Sequence, residues 1–136
     1  MILVADSGST KCDWVLVKGD GSRENFFTMG FNPFFHNEKF IADELKRQNI
    51  FNHLSTKVQR IYFYGAGCAS EAIQKQMQVF LLQLGFSEVT VYPDTLAACR
   101  ALYGNLPGWV AILGTGSVLV RYDGSQIVKR IGGYGS

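Results

Sequence analysis

Apolar and polar residues alternate at a short period through the first 30 residues of the chain, which is typical of strands. Three such runs predict strands at 2–6, 12–18 and 24–30. The turns between them contain Gly8 and the triplet 19–21, and glycine turns of this kind join neighbouring strands of a hairpin. The sequence therefore predicts an antiparallel meander at its beginning.

After the meander, apolar residues recur at helical spacing in stretches that alternate with short apolar runs. Helices are predicted at 37–49, 70–85 and 93–103, and buried strands at 60–64 and 88–92. The apolar residues expected to pack from these helices are Phe40, Ile41, Leu45, Ile73, Met77, Phe80, Leu81, Leu84, Leu96, Ala97 and Leu102. Because parallel strands need helical crossovers, this order predicts an α/β fold with a mixed sheet.

A second group of strands is predicted near the end of the sequence, at 109–113, 118–122 and 126–131, with a hairpin turn at 123–125. No helix follows in the sequence to cover this second sheet, and a small uncovered sheet does not bury a core by itself. We therefore expect a first domain at 1–107 and the incomplete beginning of a second at 108–136. The remainder of a longer protein, or another chain, would complete it.

Composition and charge exclude several classes of function. The 136 residues carry a formal net charge of +2 with the two signs interspersed, so the chain has no basic stripe for nucleic acid. Met1 runs into the apolar residues 2–5 without a basic region, and no apolar run approaches the ~20 residues of a membrane span. We therefore expect a cytoplasmic protein that binds neither nucleic acid nor a membrane.

Cysteine and histidine show no metal-binding pattern. Cys12, Cys68 and Cys99 are widely spaced and form no C-x-x-C pair, so they are predicted to be small buried thiols in a reducing compartment. His36 and His53 have no partner at ligand spacing and are predicted to be solvated.

Four polar or glycine-rich sites follow the carboxyl ends of predicted strands, at Asp6, at 65–67, at Asp94 and at Gly114. In open α/β sheets, ligands bind at that edge. The sites are therefore expected to converge along one rim of the fold.

Two of these sites have the residues of phosphate-binding turns. Residues 6–11 read Asp-Ser-Gly-Ser-Thr-Lys, and residues 114–117 read Gly-Thr-Gly-Ser. Small residues let the backbone approach an anion closely, and hydroxyl groups add hydrogen bonds. Asp94 lies between the two turns in the sequence and offers a carboxylate to a reacting hydroxyl. The combination points to phosphoryl transfer, in which a protein mainly positions groups and neutralises charge.

Each of these residues also has a purely structural interpretation. Asp6 can cap a hairpin turn, and Asp94 after a proline can be an ordinary helix N-cap. Residues 114–117 can form a tight turn between strands, Lys11 can be a solvated charge, and Asn32 before a proline can begin a plain turn. Capping and catalysis by Asp94 are compatible with each other.

Several motifs in order along the chain resemble one known family. They are Ala5-Asp6-Ser7-Gly8-Ser9-Thr10-Lys11, Gly30-Phe31-Asn32-Pro33, Tyr64-Gly65-Ala66-Gly67, Pro93-Asp94, Ala97-Ala98, Ile112-Leu113-Gly114-Thr115-Gly116-Ser117 and Gly132-Gly133-Tyr134-Gly135. This set resembles the sugar kinase, Hsp70 and actin superfamily, and within it the N-acetylglucosamine kinase branch. That branch shares its domain with the BadF/BadG/BcrA/BcrD-type ATPases.

The resemblance implies a ribonuclease H-like lobe of the actin-like ATPases at 1–107 and the first strands of a second similar lobe at 108–136. It implies ATP and Mg²⁺ as cofactors, and transfer of the γ-phosphate to the 6-hydroxyl of a sugar, N-acetylglucosamine in particular. A homodimer of the full-length protein is compatible with it. The fragment alone is expected to be inactive, because the two lobes of such a fold close around their substrates.

The resemblance also implies a role for individual residues. Asp94 would be the catalytic base, and Asp6 would hold the metal through water. The residues implied to bind the phosphates of ATP are Gly8, Ser9, Thr10, Lys11, Gly114, Thr115, Gly116 and Ser117. Those implied to bind the sugar are Asn32, Gly65, Ala66, Gly67 and Asp94.

Two departures from the family pattern leave other functions open. The acidic loop and the adenine region that follow the Gly-Gly-aromatic-Gly stretch in the family are absent from this sequence, and Pro33-Phe34-Phe35 stands where a tryptophan is common. One alternative is an ATPase that activates a reductase or dehydratase, although the scattered cysteines disfavour its iron–sulfur cluster. The other is a non-catalytic nucleotide- or sugar-sensing domain. A dinucleotide-binding fold is disfavoured, since G-x-G-x-x-G is absent after the first strand.

Overall fold

The computed structural model describes residues 1–8, 10–30, 39–40, 43, 58–68, 70–83, 85–113 and 117–132. The chain divides into two compact units, Met1–Pro93 and Asp94–Ser136. Of the helix predicted at 37–49, Lys39, Phe40 and Asp43 are helical and the rest lies outside the described residues. The boundary predicted at 107/108 concerns the lobes of the longer fold and stays a prediction.

The first unit contains a five-stranded mixed sheet in the order β3-β2-β1-β4-β5. Its strands are β1 (Ile2–Ser7), β2 (Lys11–Val17), β3 (Arg23–Met29), β4 (Arg60–Gly65) and β5 (Glu88–Pro93). The first three pair antiparallel, whereas β1, β4 and β5 are parallel. The predicted meander and mixed sheet are thus confirmed, and each strand ends within one residue of its predicted bounds.

One face of this sheet forms the core, because every second residue of the strands points towards it. Helix α1 (Glu71–Gln83) contributes Met77, Phe80 and Leu81 to the same core, as its apolar stripe predicts. The buried residues from the strands are Leu3, Ala5, Cys12, Trp14, Leu16, Ile61, Phe63, Val89 and Val91. Asp6, which lies between the buried residues Ala5 and Ser7 of β1, therefore points to the opposite face.

Trp14 lies at the centre of this core, with 1% of its surface exposed. Its ring stacks on Phe26 at a centroid distance of 5.9 Å and meets Phe63 at 6.2 Å. The indole Nε1–H donates a 2.9 Å hydrogen bond to Oγ1 of Thr28. A buried indole N–H needs such a partner, so this bond fixes the ring within the core.

The second unit pairs a helix with a three-stranded antiparallel sheet. Helix α2 (Asp94–Tyr103) precedes β6 (Gly108–Ile112), β7 (Val118–Tyr122) and β8 (Ile127–Gly132). The β7–β8 hairpin is set by Asp123, whose Oδ1 accepts the N–H groups of Ser125 at 2.8 Å and Gln126 at 2.7 Å. The predicted strands and hairpin are confirmed.

Helix α2 packs on β6 through a stripe that differs from the predicted one. Leu102 was expected to pack but is 69% exposed, whereas Thr95, Leu96 and Cys99 are buried. Four residues after Cys99, Tyr103 continues the stripe, and its ring occupies the space where Gly108 lacks a side chain. Leu102 therefore falls outside the stripe. No helix among the described residues is long and apolar enough to cross a membrane.

Tyr122 joins the end of α2 to the hairpin of the second unit. Its hydroxyl lies 2.5 Å from the carbonyl oxygen of Gly104 and 2.9 Å from that of Gly124. Since the ring itself is buried, the one hydroxyl proton is shared between two carbonyl acceptors in a dry position. The C-terminal end of α2 is thereby fixed beside Tyr122 of β7.

We expect Thr28→Val to lower the free energy of unfolding by about 1–3 kcal/mol, because it leaves the buried indole N–H of Trp14 without an acceptor. Chemical denaturation followed by circular dichroism measures this loss. The control is Thr90→Val, on the exposed side of β5, for which we expect a change within about 0.5 kcal/mol. Equal effects of the two variants would show that the Trp14–Thr28 bond contributes nothing specific.

Candidate functional site

Asp6 lies near the carboxyl end of β1 with its side chain exposed, on the face opposite the core. The strand register places Asp13 of β2 directly across from it on one side and Tyr64 of β4 on the other. Tyr64 in turn stacks on Tyr92 of β5, with ring centroids 5.1 Å apart. An exposed carboxylate thus stands in a row that also holds a second carboxylate and an aromatic pair.

The turn that follows β1 is closed by its own backbone. The N–H of Gly8 donates a 2.8 Å hydrogen bond to the carbonyl oxygen of Lys11, while Thr10 is exposed and Ser9 lies outside the described residues. A Cβ at Gly8 would meet only that oxygen, at an ordinary 3.5 Å. Packing therefore does not require glycine at this position. Because the N–H of Gly8 is already bonded to Lys11, the predicted role of Gly8 is to let a phosphate group approach the backbone closely.

Lys11 extends over the same face of the sheet as Asp6. Its Nζ lies 3.0 Å from Oδ1 of Asp13 and 5.3 Å from the centroid of the Phe27 ring. Both members of the ion pair are largely exposed, so the pair stabilises the fold little. Lys11 is thus oriented by Asp13 and by the ring, and an incoming anion would compete with Asp13 for it.

The turn after β4 lies directly beside the turn after β1. The N–H of Ala66 donates a 2.7 Å hydrogen bond to the carbonyl oxygen of Ser7, and Gly67 has a positive φ of 77°. Gly65 is fully enclosed, since a Cβ there would lie 2.6 Å from the Phe63 ring and 2.9 Å from Sγ of Cys68. Within the first unit, the structure therefore brings together residues 6–8 and 65–67.

In the second unit, Asp94 is the first residue of α2 and is half-buried. Burial raises the pKa of its carboxyl group, while the backbone N–H of Thr95 and the positive charge of Arg130 act in the opposite direction. Asp94 is the first residue of α2, a position compatible with its capping interpretation. Its carboxylate also has lone pairs that a ligand could use.

Ser117 and Gly132 are held together at one end of the second sheet. Gly132 has a positive φ of 84°, and a Cβ there would lie 2.8 Å from the carbonyl oxygen of Ser117. Only glycine fits this position without a shift of the Ser117 backbone. Ser117 and Gly132 therefore meet at this point, and residues 114–116 and 133–135 lie outside the described residues.

The N-terminus of α2 lies towards that same end of the second unit. Tyr122 fixes the C-terminal end of the helix, and Val118 and Gly132 pair at the opposite end of β7. Arg130, two residues before Gly132, is close enough to Asp94 to lower its pKa. The carboxylate and the Ser117–Gly132 contact therefore occupy one end of the unit.

Three residues of these surroundings were not identified from the sequence: Asp13, Thr95 and Arg130. Asp13 had a signal, since a hairpin that turns at residues 8–11 places it opposite Asp6. Arg130 required knowledge of how α2 packs on the second sheet, and the burial of Thr95 has no sequence signature. Of the predicted site residues, Ser9, Asn32, Gly114, Thr115 and Gly116 lie outside the described part of the chain.

The three cysteines are free and buried, as predicted. Burial raises the pKa of the Cys12 thiol to about 12, so it is not a reactive thiolate. Among the described residues, no group of three or more His, Cys, Asp or Glu side chains is placed to hold a metal ion.

Comparison with solved structures identifies proteins of related fold. A Porphyromonas gingivalis protein provisionally assigned as an N-acetylglucosamine kinase has a TM-score of 0.86 and 36% identity, over 96% of this chain and 47% of its own. MreB5 of Spiroplasma citri bound to ADP has a TM-score of 0.65 and 11% identity, over 96% and 51%. EutJ of Carboxydothermus hydrogenoformans has a TM-score of 0.57 and 15% identity, over 96% and 50%.

The chain therefore has the fold of the actin-like ATPases, as its motifs implied, and its resemblance to an N-acetylglucosamine kinase is confirmed by the first of these structures. It spans about half the length of the proteins that it matches. No family model matches the chain, and no curated protein matches its sequence.

We expect Arg130→Gln to raise the pKa of Asp94 further, since it removes the cation that opposes the effect of burial. Titration of the Asp94 carboxyl carbon by NMR measures the change, with Asp94→Asn to assign the signal. The control is Lys129→Gln, which removes a positive charge from the opposite face of the same sheet. Lys129 pairs with Arg121, whereas Arg130 pairs with the buried Val120. An unchanged pKa in Arg130→Gln would refute the electrostatic contact.

The same variant changes stability in a defined direction with pH. The folded-state pKa of Asp94 is raised, so the buried negative charge destabilises the folded protein. This destabilisation is absent below the unfolded-state pKa and complete above the folded-state pKa. Arg130→Gln increases that cost, and its loss of stability relative to wild type should grow as pH rises through the folded-state pKa.

We expect Gly132→Ala to destabilise the protein more than Gly104→Ala. Both residues have a positive φ, of 84° and 60°, so both variants lose about 1–2 kcal/mol for a left-handed alanine. Only the Cβ at Gly132 also collides with Ser117, and such overpacking costs a further ~1–3 kcal/mol. Denaturant titration compares the two variants, and equal losses would mean that the Ser117 segment shifts freely.

Proposed function

We propose that this chain carries the N-terminal lobe and the first strands of the second lobe of an ATP-dependent sugar kinase, with the 6-hydroxyl of N-acetylglucosamine as the acceptor. The proposal depends above all on Asp94, a half-buried carboxylate of raised pKa at the start of α2. The overall likeness to the Porphyromonas gingivalis protein supports the choice of sugar class. Because the chain spans about half of that protein, we propose that activity needs the remaining half of the fold.

Asp94 would act as the base. The acceptor alcohol donates its proton to the carboxylate while its oxygen forms a bond to the γ-phosphorus, and the bond from that phosphorus to the β–γ bridging oxygen breaks to release ADP. A base is most effective when its pKa approaches the working pH, and burial moves the pKa of Asp94 in that direction.

The first unit would hold the nucleotide phosphates and the metal. Asp6 is an exposed oxygen ligand, and one carboxylate with water and phosphate oxygens suffices for Mg²⁺. Bound Mg²⁺–ATP supplies the phosphoryl group and neutralises its charge. The chain's own contributions would be the open approach at Gly8, the hydroxyl groups of Ser9 and Thr10, and the ammonium group of Lys11. Gly114, Thr115, Gly116 and Ser117 would form the second phosphate turn.

The sugar would be bound by Asn32 and by the backbone of residues 65–67, in addition to Asp94. The hydrogen bond from Ala66 to Ser7 supports this proposal, because it keeps the 65–67 turn next to Asp6. We further propose that the protein acts in the cytoplasm. A homodimer of the full-length protein is compatible with these roles.

The alternative of a reductase or dehydratase activator is less well supported. Such an ATPase holds an iron–sulfur cluster through grouped cysteines, and the three cysteines of this chain are separate, free and buried. A nucleotide- or sugar-sensing domain would keep the glycine turns but would have no use for a base. The activity of an Asp94 variant therefore separates the kinase from the sensor.

The test is an ADP-release assay of the full-length protein with Mg²⁺–ATP and a panel of amino sugars and hexoses. We expect N-acetylglucosamine to stimulate turnover, and Asp94→Asn to lower kcat by about 10²–10⁴-fold through loss of the base. Asparagine is also a good N-cap, so the melting temperature should change little. Asp43→Asn, at an exposed helical position, serves as the control of unchanged activity.

Two outcomes would overturn the kinase proposal. One is the absence of sugar-dependent ADP release with every sugar of the panel. The other is normal turnover by Asp94→Asn, which would assign Asp94 to helix capping alone and favour a sensing domain.

A further inference from the structure

Thr95 is a buried polar residue that the fold itself leaves unsatisfied. It is 4% exposed, and its Oγ1 has no hydrogen-bond partner in the described part of the protein. Buried hydroxyl groups almost always have a partner, because an unmade hydrogen bond leaves their desolvation uncompensated. An orphaned hydroxyl in a dry position therefore indicates an absent partner.

The position of Thr95 shows where that partner would bind. It follows Asp94 in the first turn of α2, whose ten residues end at Tyr103. The first N–H groups of a helix have no partners within the helix, so this end already favours polar ligands. Thr95 and Asp94 are thus consecutive residues at the N-terminus of α2.

Thr28 provides a comparison, because it is a buried threonine whose hydroxyl has hydrogen-bond partners within the protein. Thr28 is also 4% exposed, but its Oγ1 accepts the Trp14 indole N–H at 2.9 Å and lies 3.0 Å from the Met29 carbonyl oxygen. The two threonines are equally buried, but the protein supplies hydrogen-bond partners only to the hydroxyl of Thr28. The hydroxyl of Thr28 therefore has a structural role, whereas no such role is seen for that of Thr95.

The chemistry of the pair selects an alcohol rather than an anion. Asp94 can only accept hydrogen bonds when it is ionised, whereas the hydroxyl of Thr95 can donate one. An alcohol has one proton to donate and two lone pairs to accept with, so it matches one acceptor and one donor on consecutive residues. A phosphate group would be repelled by the Asp94 carboxylate at the same position.

We propose that Thr95 is a substrate-binding residue, whose hydroxyl donates a hydrogen bond to the same acceptor alcohol that donates its proton to Asp94. This inference rests on the proposed kinase function. The second lone pair of the alcohol oxygen remains available to form the bond to the γ-phosphorus, and the proton leaves to Asp94, so Thr95 takes no covalent part. Thr95 orients the nucleophile, and its contact exists before and during the transfer.

The first test uses Thr95→Val, which keeps the shape and removes the hydroxyl. Since no protein partner is lost, the melting temperature of the unliganded full-length protein should stay the same or rise, in contrast to the fall expected for Thr28→Val. The KM for the sugar should rise about 3- to 10-fold with kcat nearly unchanged, as for loss of one neutral hydrogen bond made in both ground and transition states. Thr95→Ser should restore the wild-type KM.

The second test asks whether the contact is to the acceptor alcohol. Calorimetry compares wild type and Thr95→Val in binding the sugar that supports turnover and its 6-deoxy analogue. We expect Thr95→Val to weaken binding of the sugar but not of the analogue, which has no alcohol at that position. A control with Thr90→Val should show wild-type affinity for both ligands.

Each contrary result identifies what has failed. A lower melting temperature of Thr95→Val with a wild-type KM would assign the hydroxyl to the fold, and equal weakening of sugar and analogue would remove the acceptor alcohol as the partner. Either result, with normal wild-type turnover, overturns this inference and leaves the kinase proposal intact. A wild-type protein that neither binds nor phosphorylates any sugar overturns both.

Discussion

The alternation of side chains along β1 is the constraint on which the candidate site of the first unit depends. Leu3, Ala5 and Ser7 are buried on the core face, so period-two geometry requires Asp6 to point to the opposite face. A slip of one residue in the pairing of β1 would bury a carboxylate and expose the core residues. The hydrophobic core thus fixes the position of the one carboxylate that the proposed metal site needs.

The second unit depends on a different kind of restraint, a few close backbone contacts. Tyr122 fixes the C-terminal end of α2 through its shared hydroxyl proton, and Gly132 admits the Ser117 carbonyl where no side chain would fit. Of these two contacts, the one made by Tyr122 reaches the helix and fixes its C-terminal end on the sheet.

The secondary structure was predictable because its signals are local, whereas the site was only partly so. Strand ends were predicted to within one residue from turn glycines and from apolar alternation, as at Gly8. The exposure of Leu102 was not predicted, because neighbouring apolar residues of a short helix can be told apart only by their packing partner. Arg130 was missed for the same reason, since its proximity to Asp94 arises from tertiary packing.

The structural and catalytic interpretations of Asp94 support one another. Asp94 begins α2, where a carboxylate can interact favourably with the free N–H groups of the first helical turn. Burial raises its pKa, and Arg130 limits the rise so that the ionised form is retained more readily. A carboxylate that is partly desolvated and still ionisable has the properties of a general base. The position at a helix start that makes Asp94 look structural is thus the means by which the fold would prepare it for proton transfer.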